Sequence, residues 1–370
     1  MLGVHTVFDR KVDPGLIARA LAPATFGSMW LDAPRPDYPR LSGAVNCDLL
    51  VVGAGYAGLW TALHAAERNP AARIIVIEAQ QVGWAASGRN GGFVDASLTH
   101  GTENGKSRWA AEFDRLEQLG MHNLDGMQAD IERHDMKVDW ERTGALAVAT
   151  EQHQVPWLRE AAEAGEGLYL DEAATRAEVA SPTYLAALST PDTCAIVDPA
   201  RLAFELARVC ADKGVHIFEH TAAQAIEHDR RTIRVETSSG TITAERAVLA
   251  TNVFPSLLRR NRLHTVPVYD YVLATEPLSS VQLDRIGWRG RQGLSDCANQ
   301  FHYYRLSADN RIVWGGYDAL YFYGGRVDSN YEDRPETFRK LAAHFFITFP
   351  QLEDIRFSHR WAGAIDANSR

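Results

Sequence analysis

The chain of 370 residues is long enough for two to three domain-equivalents at about 150 residues each. Its 46% hydrophobic and 23% charged residues exclude a disordered, collagen-like or coiled-coil chain. A net charge of −9 disfavours nucleic acid held on a basic face, and the apolar runs are strand-sized, so no membrane span is expected. The N-terminus lacks a secretory pattern, and Cys47, Cys194, Cys210 and Cys297 are scattered without a CxxC pair. Reduced thiols and a cytoplasmic location are the expectation.

Residues 1–43 carry prolines at 14, 23, 34, 36 and 39, which break any long helix, and read as an extended arm over a core. The run 47–52 predicts a buried strand, 59–68 a helix and 73–78 a second buried strand, together a βαβ unit. Residues 106–133 predict one long helix with Trp109, Phe113, Leu116, Leu124, Met127 and Ile131 on its core face and Gly120 holding one register position. A strand follows at 144–149. A second α/β stretch opens at Pro199, with a helix over 200–213 closed by Gly214 and a strand over 215–220. A hairpin is expected over 232–245 and a separate buried strand over 247–251. From Val266 to Trp361 the chain turns strand-rich and aromatic, with strands at 266–275, 301–306 and 311–316 and a helix over 335–346.

The fold class read from this order is α/β (α+β). A Rossmann-like domain is interleaved with a second domain built on a mixed or antiparallel sheet. The expected division is an arm over 1–43, a cofactor domain over 44–100, 193–262 and 357–370, and a substrate domain over 101–192 and 263–356.

Gly53-Ala54-Gly55-Tyr56-Ala57-Gly58 is a GxGxxG between a strand and a helix. Gly53 suits the tight turn, Gly55 lets a pyrophosphate approach, and Gly58 permits close helix–strand packing. The N–H groups of Tyr56 and Ala57 at the helix start would face the phosphates. Glu78 ends the second strand about twenty residues further on, where it can accept ribose hydroxyls and repel a 2′-phosphate. FAD and NAD both fit these residues. The following stretch, from Ala79 through Ala86-Ser87-Gly88-Arg89-Asn90-Gly91-Gly92, is dense in glycine and in donors suited to phosphate or flavin oxygens. That favours FAD over NAD, the alternative being a plain surface loop.

These motifs, VVGAGYAGLWTALHAAE, IIVIEA and VGWAASGRNGGF, resemble the D-amino-acid oxidase superfamily of FAD-dependent amine and amino-acid oxidases. The likeness is greatest to the branch of the γ-glutamylputrescine oxidoreductases, and it extends through AVLATN, YVLATEPL, YYRLSADNRIVWGG and WAGAIDANSR. The resemblance implies FAD, with Glu78 on the ribose, Ala86 and Ser87 near the pyrophosphate, Arg89 to Gly92 along the flavin side, Ala223 at the adenine, and Ala250 and Thr251 beside the adenosine half. It also implies oxidation of a C–N bond in a small amine by hydride transfer to the flavin, with dioxygen or an unknown acceptor completing the cycle. No Ser-His-Asp set is evident and the thirteen histidines form no HExxH pair, so no metal is expected.

Substrate contacts are sought on the aromatic strands. Tyr269 and Tyr271 share one face, His302 and Tyr304 share another, and Trp361 stands in the closing W-x-G motif. They would form a cage for a cationic or secondary amine, the alternative being core packing. The resemblance implies an Arg two residues after the glycine of W-x-G in the D-amino-acid and glycine oxidases, clamping the substrate carboxylate. Here that position is Ile365, followed by Asp366, which shifts the expectation toward amines, polyamine derivatives and N-substituted amines. The family pattern continues into a strand–loop–helix beyond this point. With the sequence stopping at Arg370, an open sheet edge is expected, and a truncated or non-catalytic flavin-fold protein is the alternative function; an NAD-dependent dehydrogenase is a third reading.

Overall fold

The computed structural model describes residues 6–99, 101–229, 231–262 and 264–367. Two sheets organise these residues. The smaller has six strands in the order Ala223–His228, Ile233–Thr237, Gly240–Leu249, Gly43–Val52, Ile74–Ile77 and His216–Phe218. The last four run parallel, and where the two middle ones of these pair, Leu49–Val52 and Ile74–Ile77, every residue is apolar and all but Leu49 are buried. On one face lie helices Tyr56–Arg68 and Pro199–Asp212, packing Leu59, Leu63, Leu202 and Leu206 against Val51 and Val76. The second helix starts where the sequence indicates, with Pro199 in its first turn and the Asp198 carboxylate accepting from Arg201 N.

The hairpin strand and the run 247–251 prove to be one strand, Gly240–Leu249. Its first half pairs antiparallel with Ile233–Thr237, while its whole length pairs parallel with Gly43–Val52. Continuous pairing on that second side carries the chain through without a break.

The larger, mostly antiparallel sheet has ten strands. In order they are Thr25–Phe26, Phe357–Asp366, Pro267–Thr275, Ile312–Gly316, His302–Leu306, Gly293–Asp296, Ala145–Ala149, Ala186–Thr190 and Leu168–Leu170, with Leu320–Tyr321 also on Pro267–Thr275. Helix Pro335–Thr348 covers one face, burying Phe338, Leu341 and Phe345 among Tyr269, Tyr271 and Trp314. Val272, Val313 and Trp361, from the other face, pack with residues of the smaller sheet and its helices.

Three expectations are corrected. Residues 357–370 were expected with the cofactor sheet. Phe357–Asp366 instead pairs with Pro267–Thr275 from Pro267↔Asp366 to Thr275↔Phe357, in the larger sheet; the closing stretch 368–370 lies outside the described residues. The single helix over 106–133 is two, Thr102–Arg108 and Phe113–Arg133, separated at Trp109. Gly120 does hold a close approach: a Cβ there would lie 1.6 Å from Ala96 O. The arm, whose residues 1–5 are not described, is not simply extended. Between Pro14 and Pro23 it forms the helix Pro14–Leu21, capped by Asp13, which accepts from Gly15 N and Leu16 N. Among the described residues no helix is long and apolar enough to cross a membrane.

Candidate cofactor cleft and active site

A cleft of about 770 Å³ opens at the C-terminal ends of the parallel strands, the usual ligand position in such sheets. Gly53, Gly55, Tyr56, Ala57, Glu78, Ala79, Ala86, Ser87, Asn90, Ala223, Ala250 and Thr251 all line it. Gly53 has φ 110°, and a Cβ there would meet Ala250 O at 2.4 Å, so the turn needs glycine on both counts. Gly58 lies below the cleft. Its absent Cβ would sit 1.9 Å from Gly53 O, so helix and turn touch only because it is glycine. The first helical N–H, that of Tyr56, donates to Ser87 Oγ at 3.1 Å, tying the fingerprint to the second loop.

Glu78 is buried at the strand end. Its carboxylate accepts from Ala54 N at 2.9 Å, Gln80 N at 3.0 Å and Trp84 Nε1 at 2.9 Å. Three donors satisfy a buried carboxylate while leaving acceptor capacity for a ribose hydroxyl. A floor of glycine and alanine, a helix N-terminus and a terminal carboxylate fit the adenosine and pyrophosphate parts of a dinucleotide.

The second loop divides. Ala86, Ser87 and Asn90 line the cleft, whereas Gly88, Arg89, Gly91 and Gly92 do not. Arg89 turns away because three acceptors claim it. Nε donates to Trp84 O at 2.8 Å, and Nη1 donates to Glu332 Oε2 at 2.7 Å and to Ala362 O at 3.2 Å. Gly91 is buried against the Tyr303 ring and Gly92 against Val197 O, at 2.6 and 2.2 Å from their absent Cβ positions. Asn90 braces the loop itself, its amide donating to Ala86 O and Ser87 O.

The expected aromatic cage does not form. Tyr269, Tyr271, His302, Tyr304 and Trp361 are all buried and all partnered within the protein. Tyr269 donates to Asp328 O and Tyr271 to Tyr331 O. Tyr304 shares a hydrogen bond with Tyr184, and Trp361 donates to Arg89 O. His302 bridges Asp296 and His344 at 2.7 and 2.9 Å. The alternation is as read, but the helix Pro335–Thr348 takes the tyrosine face into the core. The opposite face carries Gly363 of the W-x-G motif together with Asp270, Tyr303 and Gly315, which the sequence reading did not single out as site residues. The one signal was an Asp in the middle of an otherwise apolar and aromatic strand. The Tyr303 hydroxyl donates to Asp270 Oδ2. Burial pushes the Asp270 carboxyl up to about 6, against that hydrogen bond and the N–H groups of Tyr271 and Gly316.

His216 and His220 have a four-residue spacing, but the first lies on a strand and the second in the bend after it. Among the described residues no group of three or more His, Cys, Asp or Glu is placed to hold a metal.

A parallel sheet with this cleft, joined to a broad antiparallel sheet, defines a dinucleotide-binding protein. The sequence from residue 48 to 370 matches the family described as "DAO: FAD dependent oxidoreductase". The chain belongs to this family, and its cofactor is FAD. It is 31% identical to γ-glutamylputrescine oxidoreductase of Escherichia coli over 341 residues, 88% of this chain and 75% of that one. It is 28% identical to the probable oxidoreductase OrdL of Haemophilus influenzae over 359 residues, 92% and 78% of the two chains. Among solved structures, glycine oxidase from Geobacillus kaustophilus superposes with a TM-score of 0.72 at 18% identity, covering 88% of this chain and 84% of its own. That likeness is one of fold.

Proposed function

We propose that the protein oxidises the C–N bond of a small amine: a polyamine derivative such as γ-glutamylputrescine, or an N-substituted amine or amino acid. FAD held in this cleft would supply the acceptor for a hydride from the carbon beside the neutral nitrogen, leaving an iminium for water to hydrolyse. On this reading the first-turn N–H groups after Gly55, with Ser87, hold the pyrophosphate. Glu78 holds the ribose, and Ala223, Ala250 and Thr251 flank the adenosine half. The larger sheet excludes water and orients the amine.

The observation that carries the amine over the amino acid is that, among the described residues, the guanidinium borne by the loop itself already has a carboxylate partner. Arg89 is paired with Glu332 at 2.7 Å. Arg305 is outside the cleft lining, buried beside Gly92 with Nη2 donating to Val197 O, its guanidinium 4.9 Å over Trp30 and its Nε without a partner. Position 365 is Ile. The electron acceptor is dioxygen or another oxidant, and the proposed location is the cytoplasm, in keeping with four unpaired cysteines.

The test is anaerobic mixing of FAD-loaded protein with an amine panel and with D-alanine. Bleaching of the visible flavin band by γ-glutamylputrescine or N-alkylated amines is expected. Bleaching by D-alanine alone, or a protein that takes up no FAD, defeats the reading.

A further inference from the structure

On the strand Pro267–Thr275, Asp270 and Val272 occupy the face opposite Tyr269 and Tyr271. Val272 packs with Trp361 and with Val51 of the fingerprint strand, so this face is turned to the cofactor side. Asp270 pairs across the sheet with Gly363, and Gly315 stands one step along, opposite Val272. Neither neighbour brings a side chain over the carboxylate. Tyr303 does, with its hydroxyl donating to Asp270 Oδ2.

Glycine also sets where Tyr303 lies. A Cβ on Gly91 or on Gly315 would sit 2.6 or 2.5 Å from its ring, and Phe93 meets the ring edge-on at 5.8 Å. Gly91 follows directly on Asn90, which lines the cleft. The acid–phenol pair is thus built into the junction of the cofactor loop and the larger sheet. The groups facing Asp270 are few: Tyr303 from its strand, the backbone N–H groups of Tyr271 and Gly316, and glycines from the two flanking strands; the loop brings Arg89 against Gly363, with its charge matched by Glu332. Among the described residues no cation pairs with Asp270. A carboxylate buried without a counter-ion is costly to fold, and the residue opposite Asp270, Gly363, adjoins Ala364, which lines the cofactor cleft.

We infer that Asp270, positioned by Tyr303, receives the cationic nitrogen of an amine on the sheet face turned to the cofactor. The inference rests on the amine-oxidation reading and deepens it by naming the recognising group. Alkylamines arrive protonated at neutral pH and meet a single negative charge. A substrate carboxylate at the same place is repelled. Because the carboxyl titrates near 6, cation affinity falls as pH drops through that value.

The experiment is calorimetric titration of the FAD-loaded protein with 1,4-diaminobutane, for wild type, Asp270→Asn and Tyr303→Phe, at about pH 8 and about pH 5, with flavin content recorded. Removing one partner of a buried charge pair predicts roughly 30-fold weaker binding for Asp270→Asn, with unchanged flavin content. Wild-type affinity should fall about tenfold per pH unit below about 6, and the Asn variant should not follow. Tyr303→Phe should bind with intermediate strength. Wild-type binding by Asp270→Asn, a flat wild-type pH profile, or no diamine binding by the wild type overturns the inference. Should Asp270→Asn fail to fold, the Tyr303→Phe titration and the wild-type profile still decide. Amine oxidation fails separately, if diamine binds in this way and yet no amine bleaches the flavin.

Discussion

Arg89 was expected to face the flavin, and the structure gives it another task that can be measured. Its guanidinium joins the cofactor loop to the larger sheet through Glu332 Oε2 at 2.7 Å and Ala362 O at 3.2 Å. Both side chains of the pair are mostly buried, at 19% and 16% exposure. Glu332→Gln keeps an acceptor but removes its charge, which should cost about 1 kcal/mol. Arg89→Ala removes three hydrogen bonds and leaves Glu332 unpaired, which should cost about 3 kcal/mol, below the full penalty of a deeply buried pair because some solvent reaches it. The double variant should then cost less than the sum of the two, with a coupling of about 1–2 kcal/mol. Urea unfolding of the four proteins at fixed FAD concentration measures this cycle. If Arg89 were a flavin ligand, Glu332→Gln would retain wild-type stability and Arg89→Ala would lose FAD with no coupling to position 332. That result would refute the bracing role.

Other consequences follow from single contacts. Gly58→Val places side-chain carbon within 1.9 Å of Gly53 O, so the purified variant should carry little or no FAD by absorbance, while Gly126→Val, at an open helical position, should keep it. Tyr269→Phe removes a hydroxyl that both donates to Asp328 O and accepts from Asp328 N. It should lower unfolding free energy by about 1–2 kcal/mol and leave kcat for an amine within about twofold, since the ring lies in the core. Asp270 makes a pH prediction for stability. Its carboxyl rises from 3.8 to about 6 in the fold, so the native state loses stability as pH climbs between those values and carries the whole loss above 6. Asp270→Asn should therefore be more stable than wild type near pH 7.5, by up to about 3 kcal/mol, with the gain vanishing below about pH 4 in thermal unfolding. An Asn variant less stable at neutral pH would remove the case that this acid is kept for function.

The cofactor side was legible in the sequence because its constraints are local. Gly53, Gly55, Gly58 and Glu78 fall within or at the end of one βαβ unit; Gly58 is required by Gly53 O, Gly53 by Ala250 O at a neighbouring strand end, and Gly55 by Ser87 Oγ of the loop that follows. The substrate side was not legible to the same degree. Alternation separates Tyr269 and Tyr271 from Asp270, but nothing within the strand says which set meets the cofactor. That is decided about sixty residues later, when the helix Pro335–Thr348 packs on the tyrosines. Arg89 lies outside the cleft lining for a related reason. A guanidinium in a glycine-rich loop suits an oxygen-rich ligand, and the competing carboxylate of Glu332 is 243 residues away in sequence.

The loop's carbonyls show how the two sheets act as one site. Gly88 O accepts from Ser28 Oγ at 3.1 Å, Arg89 O from Trp361 Nε1 at 2.8 Å and Asn90 O from Trp30 Nε1 at 3.1 Å. Two of these donors come from the N-terminal arm and one from the larger sheet. Three successive carbonyls are thus held from outside the cofactor sheet, and Tyr303 packs on the next residue, Gly91. The segment that sets one wall of the cleft therefore cannot shift without moving the strand that bears Trp361 and Gly363 or the ring that orients Asp270. Hydride transfer needs the reacting carbon held within a few tenths of an ångström of its acceptor. If the larger sheet presents the amine, as proposed, a loop anchored to that sheet meets this need by construction, because the two halves of the reaction are then referred to the same frame.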